Sequence, residues 1–526
     1  MLAALVVCLA AALPYVSTIH NYFTADDFGV VQLLAQKPAL YFPRWFVSSW
    51  MDQIWGFTAD EVRPFTAVSY QLTALWGAAS PEANHVLNIA FHAANGLLVL
   101  AIAQRVAGLS LMASTFAGVA FVLFPLHSEA VAWITGRVDS MPAFFYLAAF
   151  LAYARWRARG SSSVRLYSGS LVLYFIALFC KQNTITLPAA VMLFDVMVAR
   201  RRLRPSWETI WPYLPYVAMT AGYLLLRYHL FGEVARESQL TAEGIGLAET
   251  FIVRHLRRSL FGGPVGGSAL TWTIVAVGAV GIGWLWRASR RELPRHAVGI
   301  VLYFGPVWWL TGVAPVLVAG YENPRHLYLA SVGWAIVLGF GLEVLQTIKS
   351  PRMRQAVALT LTTALLVVYL VQLRTAVAGW NLAASVSRKA VADLEREALA
   401  APEGTLLIIA APVRSWEWAV PFVARPPYTR ADLTKRAFLV SPWLLHCCRS
   451  QWWDDTRKTL GTWSDRPDHP PIVVLQWNSH NGAMSRLADQ DYPDLRTLIG
   501  ILMQTDTLEA LDRGILRVTD QLAARP

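Results

Sequence analysis

Apolar stretches long enough to cross a bilayer recur along the first 380 residues of this chain. A helix needs about 20 mostly apolar residues to span the hydrocarbon core. Windows of that kind stand near 2–19, 82–104, 110–126, 139–156, 165–180, 184–199, 210–228, 269–286, 297–317, 327–346 and 355–378. They predict an α-helical polytopic membrane protein with about 11 transmembrane helices. Only 15% of the 526 residues are charged and 55% are hydrophobic. Such a chain is neither disordered nor a disulfide scaffold, and one soluble core could not hide so much apolar surface. The first window has no basic segment before it and no small-residue cleavage site before Asp26, so it reads as a retained helix.

The formal net charge is +11, and its location matters more than its size. Residues 400–526 hold 14 basic and 14 acidic residues, so the whole excess lies in the apolar part. Sixteen basic residues crowd alternate short loops: Arg105; Arg155, Arg157, Arg159, Arg165; Arg200, Arg201, Arg202, Arg204; Arg287, Arg290, Arg291, Arg295; Lys349, Arg352, Arg354. By the positive-inside tendency they mark the cytoplasmic face. The amino terminus is then cytoplasmic, and the long loops 20–81 and 229–268 and the tail face out. The expected location is the plasma (inner) membrane. A membrane and anionic ligands account for the charge, and nucleic acid is not expected as a partner.

The predicted division is a transmembrane catalytic domain over 1–380, a connector helix over 381–400 and a small α/β extracytoplasmic domain over 401–526. Thr405 to Ala411 and Ile472 to Gln476 read as short buried strands, and Leu498 to Gln504 as helical. Cys8 and Cys180 lie in apolar helices, and the adjacent Cys447 and Cys448 show no metal-ligand spacing.

Ionisable residues near the membrane mark function more often than surface charges do. Asp26 and Asp27 follow the first helix; such a pair can supply a general base, bind a divalent cation, or cap the next helix. Trp45, Trp50 and Trp55 fit an interfacial aromatic belt, and Arg63 opens an amphipathic segment at 65–79. His85, Asn88, His92 and Asn95 share one helical face, which suits an interhelical hydrogen-bond seam better than a metal site, because His85 and His92 stand roughly 10 Å apart along the helix. His127, Glu129, Arg137 and Asp139 crowd one helix–helix turn. Lys181, Arg236, Arg254, His255, Arg257, Arg258, Glu322, Arg325, His326 and Tyr328 complete the outer set. Cations on that side need an offsetting partner, and a lipid phosphate matches Arg donors well.

The stretches Ala25-Asp26-Asp27-Phe28, Arg63 to Tyr70, His85 to Asn95 and Phe124 to Asp139 resemble the GT-C class of polytopic glycosyltransferases. Within that class they are similar to the TMTC-type, protein O-mannosyltransferase-like group. Cys180 to Pro188 and Pro324 to Ser331 are weaker matches. The group usually reads Ser-Lys-Glu where this chain has Cys180-Lys181-Gln182. It usually reads Arg-Tyr-Leu-Tyr-Leu-Pro-Ser where this chain has Arg325 to Ser331, and TPR repeats are absent from this sequence. The resemblance implies a GT-C-like fold and an inverting sugar transfer from a polyprenyl-phosphate donor to a hydroxyl of a protein or of an envelope glycan or lipid. It implies Asp26 or Asp27 as the base, with Asp26 favoured. Lys181, Arg325, Arg137, Arg257 and Arg258 would hold the donor phosphate. Arg63, His85, His92, His127, Glu129, Asp139 and Tyr328 would shape the substrate pocket. No cofactor is required on this reading, although Asp26 and Asp27 leave a divalent metal open. The alternatives are a transporter or flippase for a lipid-linked or anionic substrate, and a scaffold presenting the tail. A transporter would place its ionisable residues near the midplane and show two related halves, which this sequence does not.

Overall fold

The computed structural model describes residues 1–51, 61–76, 80–201, 206–234, 252, 254–259, 296–318, 323–345, 350–402, 405–410, 420–434, 437–439, 472–478 and 482–486. The apolar window 269–286, the segment 498–504, Trp55, Arg236, Glu322, Cys447 and Cys448 lie outside them, as do Arg202, Arg204, Arg287, Arg290, Arg291, Arg295 and Lys349.

Helix α1 (Leu2–Ala12) tightens into a 3₁₀ turn at Leu13–Thr18, where Pro14 lacks a backbone donor. Then follow α2 (Asp27–Gln36), α3 (Pro64–Ala74), α4 (Pro81–Arg105), α5 (Leu111–Val122), α6 (Ser128–Ala132), α7 (Arg137–Ala158), α8 (Val164–Leu178) and α9 (Leu187–Met197). Next are α10 (Leu214–Phe231), α11 (Ala297–Val318), α12 (Ser331–Leu345) and α13 (Pro351–Ala400). Among the described residues, α4, α11 and α13 are long and apolar enough to cross a bilayer. The segments 111–122 and 125–132, bent by 48°, make a fourth if counted together. Several predicted windows are cut short by 3₁₀ turns that begin at or beside proline.

Ser80 and Ser110 start α4 and α5 by accepting from the backbone N–H three residues on, which satisfies one orphan donor each. Helices α1, α4 and α5 pack unusually close. A Cβ on Gly96 would lie 2.4 Å from Val122 Cγ1 and 2.8 Å from Val7 Cγ1, so only glycine fits. Helix α13 instead leaves Leu359, Leu361, Val367, Val368 and Val371 exposed, as a lipid-facing helix would. Its 50 residues span roughly 75 Å. The connector expected at 381–400 is thus the unbroken continuation of the last apolar helix.

Beyond that helix, β1 (Leu406–Ala410), β2 (Ala437–Leu439), β3 (Ile472–Asn478) and β4 (Ala483–Arg486) form one sheet of order β2-β1-β3-β4. The β1–β2 and β1–β3 pairs are parallel and β3–β4 is antiparallel. The core has two parts. One lies among the bundle helices, without α2 and with Tyr369, Leu373 and Val377 of α13. The other joins Phe23, Phe28, Trp45, Trp50 and Tyr70 to Leu394, Leu407, Phe422, Tyr428 and Leu475. The first long loop, the end of α13 and the sheet therefore share one buried interior.

The two ends of the helical bundle carry different polar clusters. Asp139 and Arg157 sit near opposite ends of α7, 18 residues or roughly 27 Å apart. At the Arg157 end, the fully buried Asp195 accepts from Tyr153 Oη (2.6 Å) and Tyr213 Oη (2.7 Å), and pairs with Arg157 Nη2 at 2.5 Å. Arg157, counted above among the loop cations, is a buried partner of Asp195 that ties α7 to α9.

Candidate active site

The Asp26–Asp27 pair stands at the start of α2, after the segment 19–25 that follows the 3₁₀ turn. The two residues part company there. Asp27 is buried, and Thr135 N (2.9 Å) and Thr135 Oγ1 (2.7 Å) donate to its Oδ1. Thr24 N (3.0 Å) and Thr24 Oγ1 (3.4 Å) donate to its Oδ2. Both oxygens are occupied, and the bonds tie this loop to the turn before α7. Asp26 is half-buried and accepts no side-chain hydrogen bond among the described residues. It stands at the N-cap of α2 without capping it, so the capping role open to it in the sequence is unfilled. Ala25 before it has φ +49°, a left-handed conformation that costs a non-glycine residue about 1–2 kcal/mol. Strain of this kind persists where the surroundings impose it.

Burial pushes the Asp26 carboxyl up to about 6, against the pull of Arg325 and with the push of Glu61. Burial also raises Asp27 to about 7, against its bonds to Thr135 and Thr24. A carboxylate poised near neutrality, with no hydrogen bond among the described residues, is suited to accept a proton.

The facing wall is the turn between α6 and α7 and the segment before α12. Gly136 makes that turn possible: a Cβ there would lie 2.2 Å from Glu129 O and 3.0 Å from Trp133 O. Arg325 pairs with Glu129, lies 3.4 Å from Asp139 Oδ2, and stacks over Trp133 at 5.0 Å. Lys181 pairs with the other oxygen of Asp139, and burial pulls it down to about 8 while Asp139 opposes the shift. Arg63 Nη2 donates to Glu61 Oε1 (2.8 Å) and to Gln182 Oε1 (3.3 Å). Trp50 Nε1 donates to Glu61 Oε2 at 2.9 Å. Thr66 Oγ1 donates to Cys180 O at 3.0 Å, which holds α3 against the Lys181 segment. His326 is buried, and burial with the charges of Lys181 and Arg325 keeps its ring neutral. Asp26, Glu129, Asp139, Lys181, Arg325 and Arg63 therefore form one charged cluster at one end of the bundle.

Other predicted site residues lie apart from it. Arg137 is fully buried, with Nε on Asn88 Oδ1 (2.8 Å), Nη1 on Ser69 Oγ (3.1 Å) and Nη2 on Asn84 Oδ1 (2.8 Å). Its guanidinium also lies 4.4 Å over the Tyr70 ring. Those contacts join α3, α4 and α7. His85 Nε2 lies 3.3 Å from Asn21 O. His92 sits between Tyr328 Oη (2.7 Å) and Val122 O (3.0 Å). Asn95 Nδ2 donates to Ser140 O (2.8 Å) and to Tyr328 Oη (3.1 Å), and His127 Nε2 lies 2.8 Å from Ser331 Oγ. The His/Asn face of α4 is thus built as an interhelical seam. Arg257 and Arg258 are half-buried on the short helix 254–259, which meets α11 where Trp309 Nε1 donates to Ser259 Oγ at 2.8 Å. Among the described residues, no three His, Cys, Asp or Glu side chains converge as metal ligands.

No protein-family model matches the chain. The human protein O-mannosyl-transferase TMTC3 is 28% identical over 181 residues, which cover 33% of this chain and 18% of that protein. The Drosophila melanogaster protein O-mannosyl-transferase Tmtc2 is 31% identical over 214 residues, covering 38% and 22%. The chain spans less than a quarter of the length of either relative. The crystal structure of apo ArnT from Cupriavidus metallidurans superposes with a TM-score of 0.51 at 13% identity, covering 90% of this chain and 93% of that one. The chain has a helical GT-C-like fold. Its curated homologues are the TMTC proteins.

Within this GT-C-like fold, sequence reasoning passed over Glu61 and Thr135 and gave Thr24 and Gln182 no role. Glu61 stands two residues before the quoted Arg63, and its charge acts on Asp26. Gln182 occupies the position where the group usually carries a glutamate, and its neutral oxygen accepts from Arg63. Arg63 therefore has one fewer carboxylate against it than a glutamate at that position would supply.

Proposed function

We propose that this protein is an inverting membrane glycosyltransferase that moves a sugar from a polyprenyl-phosphate donor to an acceptor hydroxyl on the extracytoplasmic face. The observation that carries the reading is the Asp26 carboxylate: half-buried, without a hydrogen bond among the described residues, raised to about 6 and facing the Arg325 charge. Asp26 takes the proton of the acceptor hydroxyl as its oxygen attacks the anomeric carbon. The bond from that carbon to the phosphate oxygen breaks, and its electron pair leaves with the polyprenyl phosphate. Arg325, Lys181 and Arg63 stabilise the departing phosphate, which is the work of a preorganised charge clamp. Glu129 and Asp139 neutralise Arg325 and Lys181 until the phosphate arrives. Asp27 holds the loop that carries Asp26, and Arg137 holds the turn that carries Asp139. The relatives' name, protein O-mannosyl-transferase, supports a hydroxyl acceptor and makes mannose the first sugar to try.

On this reading the amino terminus is cytoplasmic, and the sheet-bearing region after α13 is extracytoplasmic in the plasma (inner) membrane. A transporter reading is less favoured, because the charged cluster lies at helix ends and not at mid-span. The test is sugar transfer from a polyprenyl-phosphate sugar in liposomes. Asp26→Asn is expected to lose about 100-fold or more in kcat, the usual contribution of a general base. Lys181→Ala and Arg325→Ala are expected to weaken donor binding. Full activity of Asp26→Asn would overturn the base assignment, and unchanged donor affinity in both cation variants would remove them from the clamp.

A further inference from the structure

The Asp26–Asp27 dipeptide is gripped on both flanks by residues far along the chain. Upstream, His20 O accepts from Arg388 Nη2 (2.7 Å) and Phe23 O accepts from Ser387 Oγ (2.7 Å). Asn21 Nδ2 donates to Asn381 Oδ1 at 2.9 Å. All three partners lie on the outer part of α13. Downstream, Phe28 O accepts from Tyr428 Oη (2.9 Å), and the side chain of Gln32 bonds to Pro426 O (2.5 Å) and Arg425 Nε (3.1 Å). The Tyr428 ring lies edge-on to Phe28 at 4.8 Å and to Phe23 at 5.4 Å, so one side chain touches both flanks. The sheet is tied to the same helix, because Met484 N donates to Asp393 Oδ2 at 3.0 Å. Between the two grips stands Ala25 with its left-handed backbone. A strained residue held from both sides by a distant segment describes an imposed geometry.

We propose that the region after α13, acting with the outer part of α13, is a positioning clamp for Asp26, and that Tyr428 is its central positioning residue. The proposal rests on Asp26 as the base. Tyr428 touches no reacting atom; it fixes Phe23 and Phe28 so that Asp26 is held toward the Arg325 side and only partly open to water. Release of the clamp lets the carboxylate turn to solvent, which lowers its affinity for a proton and moves it away from the acceptor hydroxyl.

The test uses the full-length protein in liposomes, with Tyr428→Phe, which keeps the ring and removes one hydroxyl. Hydrogen exchange over residues 20–34 is expected to rise about 5- to 10-fold, the equilibrium value of one lost hydrogen bond. In the transfer assay kcat is expected to fall by a similar factor with donor KM unchanged. The acid limb of the pH profile should move toward the ordinary carboxylate range. Arg388→Ala, at an exposed residue, should act in the same direction from the upstream flank. It carries the test if Tyr428→Phe does not accumulate. Exchange over 20–34 equal to wild type overturns the clamp whatever the fate of the base reading. Faster exchange with an unmoved kcat and acid limb overturns the link between the clamp and Asp26. Full activity of Asp26→Asn with faster exchange in Tyr428→Phe fails the base reading and the catalytic link with it, while the mechanical clamp stands.

Discussion

The Asp26 assignment makes a prediction about the acid limb of the pH–rate profile. The base must be ionised to act, so kcat/KM falls as the pH drops through its proton affinity. With Asp26 raised to about 6, activity at pH 5 should be about a tenth of the plateau. An aspartate of ordinary affinity would still be more than about nine-tenths ionised there. Two neighbours supply an internal control of sign. Arg325 favours the ionised form, so Arg325→Gln should move the midpoint up; Glu61 disfavours it, so Glu61→Gln should move the midpoint down. Each midpoint should move by about one pH unit, the lower end for one nearby charge. The assay is initial-rate transfer from a polyprenyl-phosphate sugar at subsaturating donor, so that the limb reports the free enzyme. Arg325→Gln will also lose rate, but the midpoint is read independently of the plateau. A limb near 4, or midpoints displaced in the same direction by both variants, would refute the reasoning.

The two aspartates should differ in stability as well as in rate. Asp26 binds its proton more tightly folded than unfolded, so the fold loses stability as the pH rises from about 4 to about 6. Asp26→Asn should therefore melt at an equal or higher temperature at neutral pH. Asp27, raised to about 7, loses stability in the same way as it ionises, but Asp27→Asn also turns an amide toward the Thr24 or Thr135 donors; that lost pairing should cost about 1–3 kcal/mol, read by thermal unfolding in detergent at pH 5, where the Asp27 carboxyl is largely protonated. Arg137→Lys should lower thermal stability while leaving the donor affinity of the folded protein unchanged, because the fork of Arg137 is spent on Asn84, Asn88 and Ser69. Arg430→Cys in a background lacking the four native cysteines should react with an impermeant maleimide from the extracytoplasmic side, since the Arg430 side chain is 86% exposed; protection there would overturn the orientation.

Much of the architecture was legible in local pattern. Apolar windows marked the helical, membrane-type bundle, and the runs at Leu406–Ala410 and Ile472–Asn478 are strands at nearly the predicted bounds. These features follow from hydrophobicity summed over neighbouring residues, which any short window contains. The order of polar stretches at helix ends was legible for the same reason, because membrane depth makes isolated charges conspicuous.

Which charge meets which was decided by the tertiary structure. Asp26 and Asp27 are adjacent and chemically identical, yet only Asp27 meets Thr135, 108 residues away. Arg137 and Arg325 both looked like phosphate ligands; one is locked among amides and a hydroxyl, the other faces carboxylates beside Asp26. Arg157 looked like a loop cation and is the buried partner of Asp195. Tyr428 stood in an unremarked stretch of the tail and rests on Phe23 and Phe28. The sequence by itself determined the solvent, a bilayer, and the side chains that bear the chemistry. Roles within that set depend on distances of a few ångströms between segments hundreds of residues apart, and only the packed chain specifies those.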